Sequence, residues 1–552
     1  MVNITSNFEG IHKKTDLDVQ NTMLYVHMNL DTPHSTAPLL VEKGEEKFLL
    51  VKDIERGNFD EEKISAEVKY YNKYMTFDTD DKVLPSDWLE ICEEIAGNDV
   101  VEIDDDIYTS AYWKLSKALN SKLKKTGNWF RTFVYELNRE DVQRAFAVGG
   151  EAGCQDALKL ISHLKQEREI AELLGNQPVD SRFTLLDDFL RDADLDALLI
   201  SSPLNMQEIT GLPYEYCKLN DLLVMYCPKG SIWVWSNRPI DYPWFRLKKI
   251  YQEIYELSRK SEVREFDAIG IEEDHLPYKY FQALGLTGKK VVGMSMDLRR
   301  WREVRASEEL SFYVVAAQAT ISGIDAALEF AQEQFNAGNV LTESDVQSRL
   351  YSHYAQYSLD HNLQVRIVPY FIVLHAGYRT RRPNLPSFEP LNKEHTKTMK
   401  LDCGVLIIDQ KGLVRACSDL CRTLARNPEA KQMYQYLNQT MITNAIPAAL
   451  PGKTGKEVYH AGVFAMLDSD DHKWVDMGLL PQRGLEGKFE RDIGHVLGKQ
   501  EPVSLGFKKG DNGVLRNGMV CCVEYQWPYD RYAIGVEDMF VVTSKGPVNL
   551  TR

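Results

Sequence analysis

The residues of this chain best placed to do chemistry are carboxylates set inside apolar strands. The stretch MKLDCGVLIIDQKGLVRACSDLCRTLA, residues 399–425, reads as two apolar strands around the turn signal Asp409-Gln410-Lys411-Gly412. With the apex between Gln410 and Lys411, antiparallel pairing sets Asp402 directly opposite Asp419, and cross-strand partners lie roughly 5 Å apart on one face. Two ionised carboxylates buried at that distance repel, and a metal ion resolves the repulsion. Exposure of one of them at a sheet edge would resolve it equally well. A second hairpin, GMVCCVEYQWPYDRYAIGVEDMFVVT at 518–543, turns near Asp530-Arg531 and sets Glu524 opposite Glu537. A carboxylate inside VCCVE or IGVEDMFVV is costly to bury unless it is paired or metal-bound. Two such hairpins weigh far more than one. Between them RDIGHVLGKQEP (491–502) supplies His495. A lone His is more often structural, but this one completes a set of four carboxylates and one imidazole. Such a set suits Mn, Fe(II), Co or Zn rather than thiolate-seeking ions.

Arg379, Arg381 and Arg382 cluster on AGYRTRRPNLP, just ahead of the first hairpin. Arginine forks bind carboxylate or phosphate with two parallel hydrogen bonds. The cluster is therefore a candidate for holding an anionic group of a substrate, with a solvated loop paired to surface acids as the plainer reading.

The ordered set Asp402, Asp419, His495, Glu524 and Glu537 resembles the dinuclear site of the pita-bread metallopeptidase superfamily. That superfamily includes methionine aminopeptidase, Xaa-Pro aminopeptidase, prolidase and creatinase. The local matches are LDCG, SDLCRT, PGKTGKEV, GHVLG, GMVCCVE and GVEDMFVVT. SSPLNMQEITGLP and WREVRASEEL resemble the creatinase-type N-terminal domain and the approach to its catalytic domain. The likeness is good over about 180–552 and weaker over 1–175, where it is similar to the extra domain of three-domain Xaa-Pro aminopeptidases. It implies two divalent ions bridged by Asp419 and Glu537, with Asp402 terminal on one and His495 and Glu524 on the other. Ions roughly 3.5–4 Å apart share a water, lower its pKa and deliver hydroxide to a polarised carbonyl.

The chain also departs from that pattern. Asn384 stands where the family carries a His, and Lys499-Gln500-Glu501-Pro502 replaces the stretch holding a second one. Tyr525 follows Glu524 where Pro is common, and the hairpin between the two Asp residues is three residues longer on each arm. His375, Asn384 and Glu501 are the candidates for the catalytic positions around the metals. The leading expectation is a dinuclear metal-dependent hydrolase resembling Xaa-Pro aminopeptidase that cleaves a C–N bond. The second keeps the fold but acts, as hydrolase or lyase, on a small non-peptide substrate. The third, a non-catalytic binding protein on the same scaffold, ranks last because all five ligand positions are filled.

These residues need a frame. LLVEKGEEKFLLV (39–51) and LLVMYCPKGSIWVW (222–235) are two strand–turn–strand units of the same layout, each followed by amphipathic segments and then a longer helix, from Arg139 and from Ser307. The expected architecture is α/β (α+β). A degenerate creatinase-N-like domain spans 1–175, a second spans 176–305, and a pita-bread catalytic domain spans 306–552. A chain of 552 residues exceeds what one core usually holds. With 44% hydrophobic and 26% charged residues the composition is that of an ordinary globular protein, and no apolar run approaches a membrane helix of about 18 residues. A net charge of −16 disfavours nucleic acid as a partner. Nine scattered cysteines without CxxC pairs, and MVNITSNFEG without a signal-peptide pattern, lead to a reducing, cytoplasmic setting as the expectation. The resemblance further implies a homodimer through the N-terminal units.

Overall fold

The computed structural model of the chain describes residues 1–6, 8–17, 38–56, 59–72, 84–104, 106–124, 131–176, 180–228, 231–252, 255–381, 385–467, 492–499, 504–529 and 532–552. Strands β1 (Val2–Thr5), β2 (Leu39–Lys43), β3 (Glu46–Lys52), β4 (Glu67–Tyr71), β5 (Val101–Asp104) and β6 (Ser121–Lys124) form a sheet in the order β4-β3-β2-β1-β5-β6. A second sheet contains β7 (Thr132–Leu137), β8 (Ala197–Ile200), β9 (Leu222–Tyr226), β10 (Ile232–Ser236), β11 (Arg246–Tyr251), β12 (Ala268–Ile271) and β13 (Lys290–Gly293). Its order is β11-β7-β10-β9-β8-β12-β13.

The two sheets share a repeated core. In each, a strand (β1 or β8) runs antiparallel to the first arm of a hairpin (β2–β3 or β9–β10). The same strand runs parallel to a later one (β5 or β12), which is parallel in turn to an edge strand (β6 or β13). The hairpins are the two similar sequence units, so the duplication is one of strand order.

The domain boundary expected at 175 lies after one strand of the second sheet. β7 lies between β10 and β11, antiparallel to both, so the first unit ends between Lys124 and Thr132. Its sequence TFVYEL is buried almost throughout, as an interior strand requires. The helix that follows, Arg139–Leu160, leaves the N-terminal sheets and packs on the Leu310–Ala337 helix. Its small residues make that approach possible. A Cβ on Gly153 would lie 2.5 Å from the Phe312 ring, and one on Gly149 would lie 2.7 Å from the Asp409 carboxylate.

The C-terminal part has two antiparallel sheets. In the third sheet β15 (Thr398–Ile408) pairs with β14 (Arg366–Ala376) on one side. On its other side it pairs with β16 (Val414–Cys417) and then β17 (Leu420–Ala425). The fourth sheet runs β18 (Gly494–Val496), β19 (Val520–Tyr529), β20 (Tyr532–Val541), β21 (Val548–Asn549). The Leu310–Ala337 helix backs the third sheet and is buried on nearly every side over its first three turns. That burial accounts for an apolar composition that would otherwise suit a membrane span.

Buried ions join the second unit to the C-terminal part. Glu208 accepts hydrogen bonds from Arg182 (3.2 Å), Arg305 (2.7 Å) and Lys499 (2.5 Å). Lys499 also lies 2.5 Å from Glu309, which accepts from Arg415 at 2.9 Å, and Arg415 donates to Asp409 at 3.0 Å. Burial pushes the Glu208 carboxyl up, but Lys499, Arg305 and Arg182 together hold it well below its ordinary range. Lys499 adopts φ +73°, and its backbone N–H donates to the Tyr313 hydroxyl at 3.0 Å. None of the nine cysteines is in a disulfide, and all but Cys154 are buried.

Candidate metal centre

Where the carboxylates fall depends on register. On the fourth sheet β19 and β20 pair Glu524 with Glu537 and Gln526 with Gly535, the register that a turn at 530–531 demands. The turn residues Asp530 and Arg531 lie outside the described residues.

On the third sheet the partner of Asp402 is Cys421, so the expected facing of Asp402 and Asp419 is corrected by two residues. Each of those residues has a cause. The turn closes on Asp409, whose N–H donates to Leu413 O at 3.0 Å, leaving a three-residue loop that ends in Gly412 at φ +83°. The Asp409 carboxylate accepts from the N–H groups of Lys411 and Leu413 at 2.9 and 3.1 Å, which favours this loop. A bulge at Arg415 then adds the second residue: Ile408 pairs with Val414, while Ile407 pairs with Ala416. Asp419 consequently lies in the break between β16 and β17. There the Ser418 hydroxyl accepts the Val405 N–H (2.8 Å), and Gly404 admits the Ser418 carbonyl, 2.0 Å from where a Cβ would sit.

The remaining members arrive from the fourth sheet. His495 pairs with Cys522, and Gly494 before it sits at φ +133°, with Cys522 O only 2.2 Å from the position of a Cβ. A side chain at 494 would thus displace the strand that carries the imidazole. The Cys522 thiol donates to Asp419 O at 3.5 Å, which ties the two sheets. Arg422 on β17 donates to Glu537 O and, at 2.8 Å, to Asp538, which also accepts from Arg552.

Among the described residues, the ligand atoms of Asp419, His495 and Glu537 all lie within 4.8 Å of one another. His495 Nε2 is 3.4 Å from Asp419 Oδ2. Glu537 is 1% exposed, and among the described residues neither carboxylate oxygen has a hydrogen-bond partner. Burial above all, then Asp419, Glu524 and Asp402, push its carboxyl well above the ordinary range. A buried carboxylate without donors, beside a second carboxylate and an imidazole, is a donor set that fits a divalent cation. Asp402 and Glu524 are brought together differently: the Gln526 amide nitrogen donates to Asp402 Oδ2 and, at 3.0 Å, to Glu524 Oε2. The Gln526 oxygen accepts from Lys400, which is 2% exposed.

The other expected site residues fall elsewhere or outside the described residues. Arg379 donates from Nε to both Glu343 oxygens at 3.2 Å and from Nη2 to Leu385 O at 2.6 Å. Glu343 also accepts from the N–H groups of Ala376 and Ser387, both at 2.8 Å. Arg379 therefore anchors its own loop to the start of the Glu343–Asp360 helix. His375 is fully buried, with Nδ1 3.7 Å from Glu343 Oε2, and burial lowers its pKa. Arg381 ends the short turn Gly377–Arg381 and is half-buried. Arg382, Asn384 and Glu501 lie outside the described residues. Sequence reasoning missed Lys400 and Gln526. Each stands two residues from a carboxylate on the same strand, so the alternation that flagged Asp402 and Glu524 points to them as well.

Comparison with known proteins agrees with this layout. Residues 315–544 match the model of metallopeptidase family M24, and residues 182–304 match the creatinase/prolidase N-terminal domain. The X-prolyl aminopeptidase of Caenorhabditis elegans, described as a cytosolic enzyme with a di-nuclear active site, is 13% identical. The match covers 100% of this chain and 86% of that one, with a TM-score of 0.59. The prolidase of Pyrococcus horikoshii is 18% identical over 68% of this chain and 98% of its own, with a TM-score of 0.50. The N-terminal domain of the FACT complex subunit SPT16 from Eremothecium gossypii is 14% identical over 67% of this chain and 95% of its own, with a TM-score of 0.51. No curated protein matches the chain by sequence. The mixed α/β architecture is that of the pita-bread fold, with a creatinase-type domain ahead of the M24 domain.

Proposed function

From the premise that the chain belongs to metallopeptidase family M24 through residues 315–544, we propose that it is a metal-dependent hydrolase that cleaves the C–N bond of an Xaa-Pro peptide. The observation that carries this reading is Glu537: a buried carboxylate with both oxygens unpartnered among the described residues, beside Asp419 and His495. A bound divalent cation would polarise a substrate carbonyl and acidify a water. The chain's own residues prepare that place. Gly494 fixes the strand that presents His495, Arg422 holds the Glu537 backbone, and Gln526 orients the Asp402 and Glu524 carboxylates. One sequence feature favours a second reading, a small non-peptide amide as substrate: Asn384 and Lys499–Pro502 replace the two His residues of the family pattern.

The test is release of the N-terminal residue from Xaa-Pro dipeptides and tripeptides by the full chain, dialysed metal-free and then loaded with Mn²⁺ or Co²⁺. Activity that falls at least a hundredfold in Glu537→Gln supports the peptidase. A metal-loaded chain that ignores peptides but hydrolyses guanidino acids or N-acyl amino acids supports the second reading. A chain that binds no metal overturns both.

A further inference from the structure

The five expected ligands make two kinds of contact among the described residues. Asp419, His495 and Glu537 converge, while Asp402 and Glu524 both turn to a single amide. The orientation of that amide is over-determined. Its NH₂ group has two hydrogens and gives one to each carboxylate, and its oxygen takes the Lys400 donor. Turned over, it would set its oxygen against two carboxylates and its NH₂ against the lysine nitrogen.

Lys400 is held as firmly as the amide. It sits on β15 opposite His375 of β14 and Thr423 of β17. Its stem fills the space over Gly535, where a Cβ would lie 2.9 Å from Lys400 Cδ and 2.4 Å from Cys421 Sγ. Gly535 in turn is locked to Thr423 by two reciprocal hydrogen bonds: the Thr423 hydroxyl donates to Gly535 O (2.8 Å) and accepts its N–H (2.9 Å). Lys400, Gln526, Thr423 and Gly535 thus make a second tier, one alternation along the strands from the carboxylates and as closely built as they are.

A cation ligated by both Asp402 and Glu524 would compete with the Gln526 hydrogens for carboxylate lone pairs, and would bring its charge close to the lysine nitrogen. The M24 pattern balances four carboxylates with two divalent ions. Here the terminal carboxylates already have an amide between them and a basic side chain behind it. We propose that the centre takes a single divalent cation, at Asp419, His495 and Glu537, and that Lys400, acting through Gln526, stands in for the second. This rests on the metal-centre reading above and narrows it.

The experiment counts bound metal in the full chain by calorimetric titration with Mn²⁺ and by elemental analysis after equilibrium dialysis. One equivalent is expected for the native sequence. In Lys400→Met/Gln526→Gly, which removes the amide and the basic group, two equivalents are expected, with circular dichroism confirming the fold. In the native background Asp402→Asn should weaken Mn²⁺ binding less than tenfold and Glu537→Gln more than a hundredfold, a contrast that holds the proposal to account even where the double variant fails to fold. Two equivalents in the native chain overturn the proposal and leave the hydrolase reading intact. One equivalent in the folded double variant overturns the role of Lys400 and Gln526. No bound metal overturns the metal-centre reading itself.

Discussion

Two buried clusters in this molecule are dense in charge and differ in how that charge is met. Around Glu208 every acid faces a base of the same chain: Arg182, Arg305 and Lys499 on Glu208, then Lys499 and Arg415 on Glu309 and Arg415 on Asp409. At the candidate metal centre Glu537 has no donor among the described residues, and its carboxyl is driven upward where that of Glu208 is driven downward. A closed ion network serves architecture, here the joint between the second N-terminal unit and the C-terminal part. An acid left without a counter-charge marks the place where something from outside is to bind.

That contrast breaks most visibly at the joint. Glu208→Ala removes the acid and leaves Arg182, Arg305 and Lys499 buried around a gap. Removing one partner of a buried network costs about 3–5 kcal/mol, and three bases face this acid, Lys499 and Arg182 keeping Glu309 and Asp180 as their other partners. The expected result is a large fall in thermal midpoint, or loss of soluble protein, with chemical denaturation as the check. A change smaller than about 1 kcal/mol would mean that the network is not what holds the joint.

Glu303 sits between the two cases and sharpens the comparison. It is buried, accepts hydrogen bonds from Ser504 N (2.6 Å) and the Ser504 hydroxyl, and burial above all pushes its carboxyl up to about 7. The folded chain then holds its proton at pH values where the unfolded chain has lost it. The stability this contributes is complete below about pH 4.5 and is lost as pH rises through about 7, with a ceiling of about 3 kcal/mol. The thermal midpoint should fall between pH 5 and 7.5, and Glu303→Gln should flatten that slope. A slope unchanged in the variant would assign the pH dependence to other groups.

Metal should act on one cluster only. Divalent cation at a hundredfold excess over its dissociation constant stabilises the folded chain by about 2.7 kcal/mol. Mn²⁺ should therefore raise the thermal midpoint of the native chain and leave that of Glu537→Gln in place. An equal rise in both would move the binding site elsewhere.

Much of this was legible in the sequence, for reasons that differ from residue to residue. Glu524 and Glu537 face each other because their hairpin is regular, so counting outward from the turn suffices. Asp402 and Asp419 do not, because the Asp409 side chain selects a longer loop and the chain bulges at Arg415, whose side chain is engaged with Glu309. Neither choice is visible without the tertiary partners. Lys400 and Gln526 were open to the same alternation argument as the acids, but in a strand a lysine or glutamine reads as a surface residue until its depth is known. The boundary expected at 175 does not anticipate β7, which reads as a strand but pairs with β10 and β11, roughly a hundred residues further on. Strand propensity carries no address for a partner that distant.

The smallest effect tests the contrast most directly. Glu537→Gln keeps the shape of the side chain and removes its charge. In the metal-free chain the native carboxyl has no donor among the described residues, and burial, then Asp419, Glu524 and Asp402, oppose its ionisation. The amide carries no charge and offers two hydrogens to acceptors of the right sign within reach, Asp419 among them. Among the described residues no hydrogen bond to the native Glu537 side chain is there to be broken. The metal-free variant should therefore match the native chain or exceed its stability by about 1 kcal/mol, the scale of one net hydrogen bond, while losing the stabilisation by Mn²⁺. The check is a pair of thermal melts with chelator present. A loss on the scale expected for Glu208→Ala would mean that Glu537 is held by the protein as closely as Glu208 is, and the distinction between a closed joint and an open site would fail at its central residue.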